Sequence, residues 1–381
     1  MKHALRRLTL TTARITERTR WLFVEIARRD ARVGIGEATL EGREEATVAA
    51  AAQIAPMLWS IDTDKAAAFM RASVPENLAD AAIASAIDMA LWDLHAQDAQ
   101  VRLVDALGGA HRSSVPLYAN INRRTRDRSP AGFARSARDA LSAGFGALKI
   151  APFDEVSTKR CASADGASAM QAGLARIAAV REAAGPALRL MVDCHWRFDE
   201  ATAARMIDAT VDHALHWIEC PLPEVAANIP ALVRLRTHAS AHGVRLAGME
   251  QGIGYGSFQP FCEAGCYDVM MPDVKYVGGL REMLRCADEF RRHGVAMSPH
   301  NPGGPIAHVA SLQVSAAMRS FDMLELQFDE SALFDDLVVG GCPERIGGAS
   351  ALPEANGLGI RLVPEALAAC TEGPPLILEA P

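Results

Sequence analysis

The sequence predicts an α/β fold, in which a TIM-type (β/α) barrel follows an α+β N-terminal domain. Eight short apolar runs recur after residue 112, and helix-compatible, Ala-rich stretches fill the gaps between them. Near-continuous apolar strands that alternate with helices are typical of a parallel barrel. The first 110 residues instead show strands followed by helices. The length of 381 residues is enough for a large barrel and an accessory domain.

We expect the N-terminal domain over residues 1–112. Residues 21–26 are a strand candidate, which a polar turn reverses into a second strand over residues 33–38. Helices are expected over residues 44–57 and 77–97. In the second helix, apolar residues recur every three or four positions, a pattern that gives a helix one buried face.

We expect the barrel over residues 113–332. The remaining residues, 333–381, are rich in loops and should pack back on the N-terminal domain and complete it. The eight strand candidates of the barrel cover residues 115–121, 147–153, 189–195, 216–222, 245–250, 269–274, 295–300 and 322–328.

Composition narrows the class of protein. Hydrophobic residues make up 50% of the chain and charged residues 22%, as in ordinary globular proteins. The net charge of −7 argues against nucleic acid as a partner, and no apolar stretch is long enough to cross a bilayer. The eight cysteines lack the spacing of a zinc ribbon or a disulfide framework, so we expect a cytoplasmic protein.

Three acidic residues carry the most information about function. Asp193, Glu219 and Glu250 each end an apolar run, at intervals close to the length of one β/α unit. Acids at the ends of three successive barrel strands lie on one rim, where their charges repel unless a cation binds between them. Oxygen-only ligation suits Mg²⁺. Any one of these acids could instead cap the following helix.

Several further segments occur in a fixed order along nearly the whole chain. In this order and at these intervals they resemble those of the enolase superfamily, of the mandelate racemase type. The segments are Gly34-Ile35-Gly36-Glu37, residues 86–94, Ile218-Glu219 with Pro221, Gly248 with Glu250, Pro272-Asp273 with Gly278-Gly279, and Gly357-Leu358-Gly359-Ile360.

The resemblance implies an N-terminal capping domain and one Mg²⁺ held by the three acids. It also implies that the reaction begins with removal of the proton α to a substrate carboxylate. The base of the family's His–Asp dyad corresponds to His300, at the end of the seventh strand, and its partner to Asp273, at the end of the sixth. Asp273 could instead be an ion-pair partner of Lys275.

The second strand departs from the racemase pattern. Racemases of this family carry Lys-x-Lys there, and the second lysine is the opposing base. This chain has Lys149-Ile150-Ala151, which disfavours racemisation. Lys149 remains, either beside the substrate carboxylate and the metal cluster or in a rim salt bridge with Asp193 or Glu219.

His195, two residues after Asp193, should point to the same side of the strand. Asp-x-His at this place resembles the acid-sugar dehydratases of the family, such as galactonate dehydratase, in which the histidine protonates the departing hydroxyl. With His300 as base and His195 as acid, the resemblance implies β-elimination of water from an aldonate or aldarate. The product would be a 2-keto-3-deoxy acid.

The substrate should also meet polar groups on the first and eighth strands. Glu325 matches the glutamate that hydrogen-bonds the substrate carboxylate in related racemases. Asn120, Asn122, Arg123 and Arg124 put polar and cationic groups on the rim, although charge runs are usually solvated faces.

Other functions stay open at this point. An epimerase, racemase or cycloisomerase would use the same site, with His195 as an opposing base. A zinc hydrolase usually needs His-rich ligation, and no His-x-His occurs in the chain. A barrel that had lost catalysis is the third alternative. The expected partners are a small sugar acid and, as the resemblance implies, further copies of the chain in a homo-oligomer.

Overall fold

The N-terminal part of the chain builds a four-stranded antiparallel sheet. The computed structural model describes residues 4–59, 75–161 and 163–381. The strands run in the order β14-β1-β2-β3, so a strand from the C-terminal tail pairs with the first strand of the chain. They are β1 (Leu5–Arg14), β2 (Arg20–Arg28), β3 (Val33–Glu37) and β14 (Leu376–Glu379).

After the first three strands, the described residues form three helices before the barrel-like part begins. The second begins at a sequence signal, because the Asn77 side chain accepts hydrogen bonds from two backbone N–H groups of the first turn. The predictions of helices over residues 44–57 and 77–97 are confirmed within one residue at each end. The helices are α1 (Glu44–Leu58), α2 (Leu78–Asp98) and α3 (Leu103–Ala106).

Helix α2 lies directly against strand β3 because two glycines leave room for it. A Cβ atom at Gly34 would come within 2.0 Å of the Ala90 carbonyl oxygen, and one at Gly36 within 2.0 Å of the Ala86 carbonyl oxygen. The Gly-x-Gly segment therefore serves close helix-to-sheet packing.

The second part of the chain is barrel-like. Each predicted apolar run overlaps one observed strand. The strands are β4 (Ser114–Asn120), β5 (Ala147–Ile150), β6 (Arg189–Asp193), β7 (Trp217–Glu219), β8 (Arg245–Gly248), β9 (Val269–Met270), β10 (Ala296–Met297) and β11 (Leu324–Gln327). The intervening helices are α4 (Pro130–Ser142), α5 (Ala164–Ala184), α6 (Glu200–Ala209), α7 (Ile229–Ala241), α8 (Gly254–Ala264), α9 (Leu280–Arg292) and α10 (Pro305–Ala317).

Strands β4 to β10 pair in parallel with their neighbours in sequence order, and β11 pairs in parallel with β4. Two backbone hydrogen bonds also join the seventh and eighth strand regions. Asp322 N donates to Met297 O at 2.8 Å, and Glu325 N donates to Pro299 O at 3.3 Å. Alternation along the strands sends side chains such as Tyr118, Met191 and Trp217 into one fully buried cluster, which fills the interior.

The tail after β11 consists of short elements. Strand β13 pairs with β4, whereas β14 pairs with β1 at the opposite part of the molecule. None of the helices in the described part of the chain combines the length and hydropathy that a bilayer crossing requires. The elements are α11 (Leu333–Asp336), β12 (Arg345–Ile346), β13 (Ala349–Ala351) and α12 (Pro364–Cys370).

Buried acids of the N-terminal domain hold it on the barrel. The Glu37 carboxylate accepts hydrogen bonds from the backbone of Gly304 at 2.6 Å and Ala307 at 2.9 Å, at the start of α10. On helix α2, Asp88 accepts one from Leu280 N and Asp93 one from Leu358 N, each at 2.8 Å. The N-terminal domain is thereby fixed beside the loops that leave the carboxyl ends of the barrel strands.

Candidate active site

Three of the predicted residues end adjacent strands. Asp193 and Glu219 are register partners on β6 and β7, and Glu250 follows β8 by two residues. The chain leaves these strands through left-handed backbone at four residues other than glycine: His195 at φ 47°, Trp196 at φ 56°, Cys220 at φ 47° and Met249 at φ 69°. Such conformations cost free energy and cluster at functional sites, where they aim neighbouring side chains.

Glu219 and Glu250 form the centre of the acidic cluster. A carboxylate oxygen of each lies within 4.8 Å of the other and of Cys220 Sγ. Burial raises the pKa of Glu219 to about 8, with the Asp193 and Glu250 carboxylates adding to the effect and Lys149 opposing it. Glu250 Oε2 is buried and has no hydrogen-bond partner among the described residues. A buried carboxylate oxygen left without a donor beside a second carboxylate is what an Mg²⁺ site requires, so these residues fit the ion.

Cys220 is not a candidate ligand, although it lies in this cluster. Burial raises the pKa of its thiol well above the ordinary value, and the nearby carboxylates raise it further. The thiol is therefore protonated, whereas a metal binds the thiolate.

Asp193 lies at the edge of the cluster, and its carboxylate is turned toward His195. Asp193 Oδ1 accepts a hydrogen bond from His195 N at 3.0 Å, and Oδ2 lies 2.9 Å from His195 Nε2. The Asp193 charge raises the pKa of His195 to about 9, so this imidazole is protonated at neutral pH. The side chain of His195 is 42% exposed, which gives a molecule in the barrel mouth access to it.

His300 and Asp273 are brought together. His300 Nδ1 lies 2.8 Å from Asp273 Oδ2, and His300 Nε2 lies 3.5 Å from Glu250 Oε2. Lys275 Nζ also donates to Asp273 Oδ2, at 2.7 Å. Asp273 therefore contacts both partners that the sequence analysis considered for it, the lysine and the histidine. Burial alone would raise the pKa of Asp273, but Lys275 and His300 hold it below its ordinary value.

Lys149 is buried inside the strand ring and bridges two carboxylates. Its Nζ lies 2.6 Å from Glu219 Oε1 and 3.1 Å from Glu325 Oε1. Burial alone would lower the pKa of Lys149, but the two carboxylates raise it well above its ordinary value. Of the two salt bridges that the sequence left open, the one with Glu219 is present.

Glu325 has its own set of donors. Asn120 Nδ2 donates to Oε1 at 2.6 Å, and Asn301 N donates to Oε2 at 3.0 Å. Burial opposes ionisation, but Lys149 and His300, with these hydrogen bonds, lower the pKa of Glu325 to about 2. Asn120 thus contacts a predicted site residue directly, while Asn122 holds the backbone, accepting a hydrogen bond from Ala151 N at 2.5 Å.

The two arginines predicted at the rim are both engaged within the protein. Arg123 binds Glu41 of the N-terminal domain at 2.8 Å, Glu330 at 3.2 Å and the Pro302 carbonyl at 3.0 Å. Arg124 binds Asp139 and Asp329, each at 2.7 Å. Arg123 thereby ties the N-terminal domain to the barrel loops.

Glu224, which holds two loops of the site, was not predicted from the sequence. Its Oε1 accepts hydrogen bonds from Met249 N at 2.5 Å and Tyr267 Oη at 3.1 Å, and the Trp196 side chain is a further donor. Burial raises the pKa of Glu224 to about 7. Its position five residues after Glu219 is the only signal, and one acidic residue in a Pro-rich turn does not predict a role.

Two family models together match most of the chain. The family model described as mandelate racemase / muconate lactonizing enzyme, N-terminal domain, matches residues 3–108. The model described as enolase C-terminal domain-like matches residues 132–366.

Two curated relatives carry names of sugar-acid enzymes. D-galactonate dehydratase of Verminephrobacter eiseniae (strain EF01-2) is 31% identical over 80% of this chain and 77% of its own length. D-gluconate dehydratase of Thermoproteus tenax is 29% identical over 89% of this chain and 67% of its own length. A solved enolase protein from the Sargasso Sea environmental genome sequencing superposes with a TM-score of 0.81 at 27% identity, over 99% of this chain and 98% of that one.

Proposed function

The chain belongs to the mandelate racemase/muconate lactonizing enzyme family of the enolase superfamily, and on that premise we propose that it is a Mg²⁺-dependent sugar-acid dehydratase. The reaction removes the proton α to the carboxylate of an aldonate or aldarate and then eliminates water. The names of the two relatives support this class and point to D-galactonate and D-gluconate as the first substrates to test.

One observation carries the proposal: two histidines stand on either side of the carboxylate cluster, and each is paired with an aspartate of its own. His195 is next to Asp193 and is protonated, as an acid must be. His300 has one nitrogen held by Asp273 and the other directed toward Glu250. An acid and a base at opposite edges of one cluster suit removal of a proton at C2 and protonation of a leaving group at C3.

Asp193, Glu219 and Glu250 would hold the Mg²⁺. When bound, the ion would neutralise negative charge that develops on the substrate carboxylate. Lys149 and Glu325 would then line the carboxylate side of the substrate, with Asn120 keeping Glu325 in place.

The remaining chemistry belongs to the histidines. His300 Nε2 takes the C2 proton, and the C2–H electron pair forms the C2–C3 double bond as the C3–O bond breaks. His195 gives its proton to the departing hydroxyl, which leaves as water. Asp273 stabilises the imidazolium that forms on His300, because its carboxylate is 2.8 Å from Nδ1. The enol product tautomerises to the 2-keto-3-deoxy acid, and the two histidines exchange protons with solvent to complete the cycle.

An epimerase, racemase or cycloisomerase is the second candidate, because His195 could return a proton to the opposite face of C2. Ala151 stands where racemases of the family carry the second lysine of Lys-x-Lys, and it is buried. This substitution favours dehydration.

The proposal is tested by incubating the protein and Mg²⁺ with a library of aldonic and aldaric acids and detecting 2-keto-3-deoxy products with semicarbazide. A product that disappears in His300→Asn and with a chelator supports dehydration. Exchange of the C2 proton in heavy water without any keto product would support the isomerase instead.

We also propose a division of the chain into a capping domain over residues 1–112, a closed (β/α)₈ barrel over 113–332 and a tail over 333–381 that packs back on the cap. The pairing of β14 with β1 and the hydrogen bonds between the β10 and β11 regions support this division. A cytoplasmic homo-oligomer acting on a small sugar acid completes the proposal. Size-exclusion chromatography with light scattering tests the oligomeric state.

A further inference from the structure

A second group of metal-ligating side chains lies on the outer wall of the barrel. His238 is in the last turn of helix α7, and His242 is the residue at which that helix ends. Asp208 is in the last turn of the neighbouring helix α6. All three are accessible, with side chains 37%, 32% and 57% exposed for His238, His242 and Asp208.

The three side chains converge on one point. His238 Nε2 lies 2.7 Å from Asp208 Oδ1, and His242 Nε2 lies 3.5 Å from the same oxygen. The two imidazole rings are 5.3 Å apart and nearly perpendicular. Residues four apart on a helix face the same way, so the helix itself aims both rings at Asp208. One ligand atom from each residue lies within 4.8 Å of the others.

We propose that Asp208, His238 and His242 form a binding site for a divalent transition-metal ion of the Zn²⁺ class. Two imidazole nitrogens and one carboxylate oxygen are ligands that Zn²⁺, Ni²⁺ and Cu²⁺ bind well, whereas Mg²⁺ prefers oxygen alone. Because the three side chains are exposed, water can occupy the remaining coordination positions of the metal ion.

The charges around the group favour a cation. The carbonyl ends of helices α6 and α7 meet here, and each carries a partial negative charge. Arg234 precedes His238 by one helical turn, but its guanidinium binds Glu200 through Nε at 2.7 Å and Nη2 at 2.9 Å. This arginine on the same helix is therefore held by a carboxylate of its own.

This site is separate from the carboxylate cluster. His242 precedes the first residue of strand β8 by three positions, whereas Glu250 follows the last residue of that strand by two. The two groups thus lie at opposite ends of the same strand. Zinc at the outer site would brace helix α6 against helix α7, so its effect would be on stability and not on the reaction.

The test is a calorimetric titration of the full chain with Zn²⁺ in saturating Mg²⁺, which occupies the carboxylate cluster. We expect one Zn²⁺ per chain, with affinity falling by roughly tenfold or more in His238→Gln and in His242→Gln. The matched control is His293→Gln, because His293 ends helix α9 as His242 ends α7 and belongs to no such group of ligands in the described residues. The control should bind as the native chain does.

A second measurement needs no variant. Electron paramagnetic resonance of one Cu²⁺ per native chain, again in excess Mg²⁺, should show hyperfine coupling to two nitrogens. At a fixed concentration, Zn²⁺ should also raise the melting temperature of the native chain and the control variant by more than that of the two ligand variants. Equal Zn²⁺ affinity in all four chains, or Cu²⁺ without nitrogen coupling, would overturn the proposal.

Discussion

His300 Nδ1 and Asp273 Oδ2 lie 2.8 Å apart, and the same oxygen accepts a 2.7 Å hydrogen bond from Lys275 Nζ. An aspartate held from the other side by a buried lysine cannot turn away from the histidine. The contact fixes the imidazole so that its other nitrogen faces Glu250. A base oriented by a carboxylate in this way is ready to take a proton from a molecule bound over the cluster.

Asp273→Asn should lower kcat by about 10²-fold or more while KM changes little. The amide keeps the shape of the side chain, but it no longer stabilises an imidazolium on His300. The measurement is steady-state kinetics on whichever acid the screen identifies, with circular dichroism as the check on folding. A variant with native kcat would show that the contact has no part in proton removal.

Lys149→Met should destabilise the metal-free protein by about 3–5 kcal/mol, because it leaves Glu219 and Glu325 buried without their cation. Mg²⁺ should restore part of the loss, since it supplies positive charge to Glu219. Urea unfolding with and without Mg²⁺ measures both effects. If Mg²⁺ stabilises the native chain and the variant equally, the lysine and the ion do not share the Glu219 charge.

Glu250→Gln should have opposite effects in the two metal states. Without metal, the variant should be more stable than the native chain, because a buried carboxylate oxygen without a partner is removed from beside Glu219. Its affinity for Mn²⁺, used as a spectroscopic substitute for Mg²⁺, should fall by roughly 10–100-fold or more. Thermal unfolding measures the stability, and a titration with Mn²⁺ monitored by paramagnetic resonance measures the affinity. Unchanged Mn²⁺ affinity would remove Glu250 from the metal site.

His308 should make the protein sensitive to acid. Burial lowers the pKa of His308 to about 3, from an ordinary value of 6.5. Above pH 6.5 the imidazole is neutral in both folded and unfolded chains. As the pH falls from 6.5 toward 3, the unfolded chain binds a proton that the folded chain does not. The free energy of unfolding therefore falls by up to about 1.4 kcal/mol per pH unit from this group.

His308→Gln, which keeps an acceptor for Asn301 Nδ2, should show a shallower loss of stability over that range. The exposed His293→Gln variant should keep the native slope. Urea unfolding between pH 7 and pH 4 compares the three chains, and parallel curves for all of them would contradict the assignment.

Much of the fold could be predicted because apolar residues recur clearly with the periods of strands and helices. Eight apolar runs predicted eight strands at the right places, and the Asn77 cap signal marked the start of helix α2. Strand β1 was missed although Leu8 and Leu10 alternate with polar residues and its partner β2 begins six residues after β1 ends. Its other partner, β14, lies at the far end of the chain. Strand β14 shows little periodicity of its own, and only pairing with β1 accounts for it.

The site was predictable to the extent that its residues end strands. Asp193 and Glu219 end strands, and Glu250, Asp273 and His300 follow strand ends within three residues. Strand ends meet at one rim whatever the loops contain. Side-chain partners between distant elements were not predictable. Arg123 stays a predicted contact of the substrate, but its partners Glu41 and Glu330, 82 residues before it and 207 after it, were not foreseen.

The central claim is that His300 drives dehydration. The most direct measurement is product formation, in heavy water with Mg²⁺, from the sugar acid that reacts in the library screen. The native chain should form a 2-keto-3-deoxy acid, and His300→Asn should form none while still binding Mn²⁺. A native chain that exchanges the C2 proton but releases no keto acid from any aldonic or aldaric acid would contradict the account and identify an isomerase.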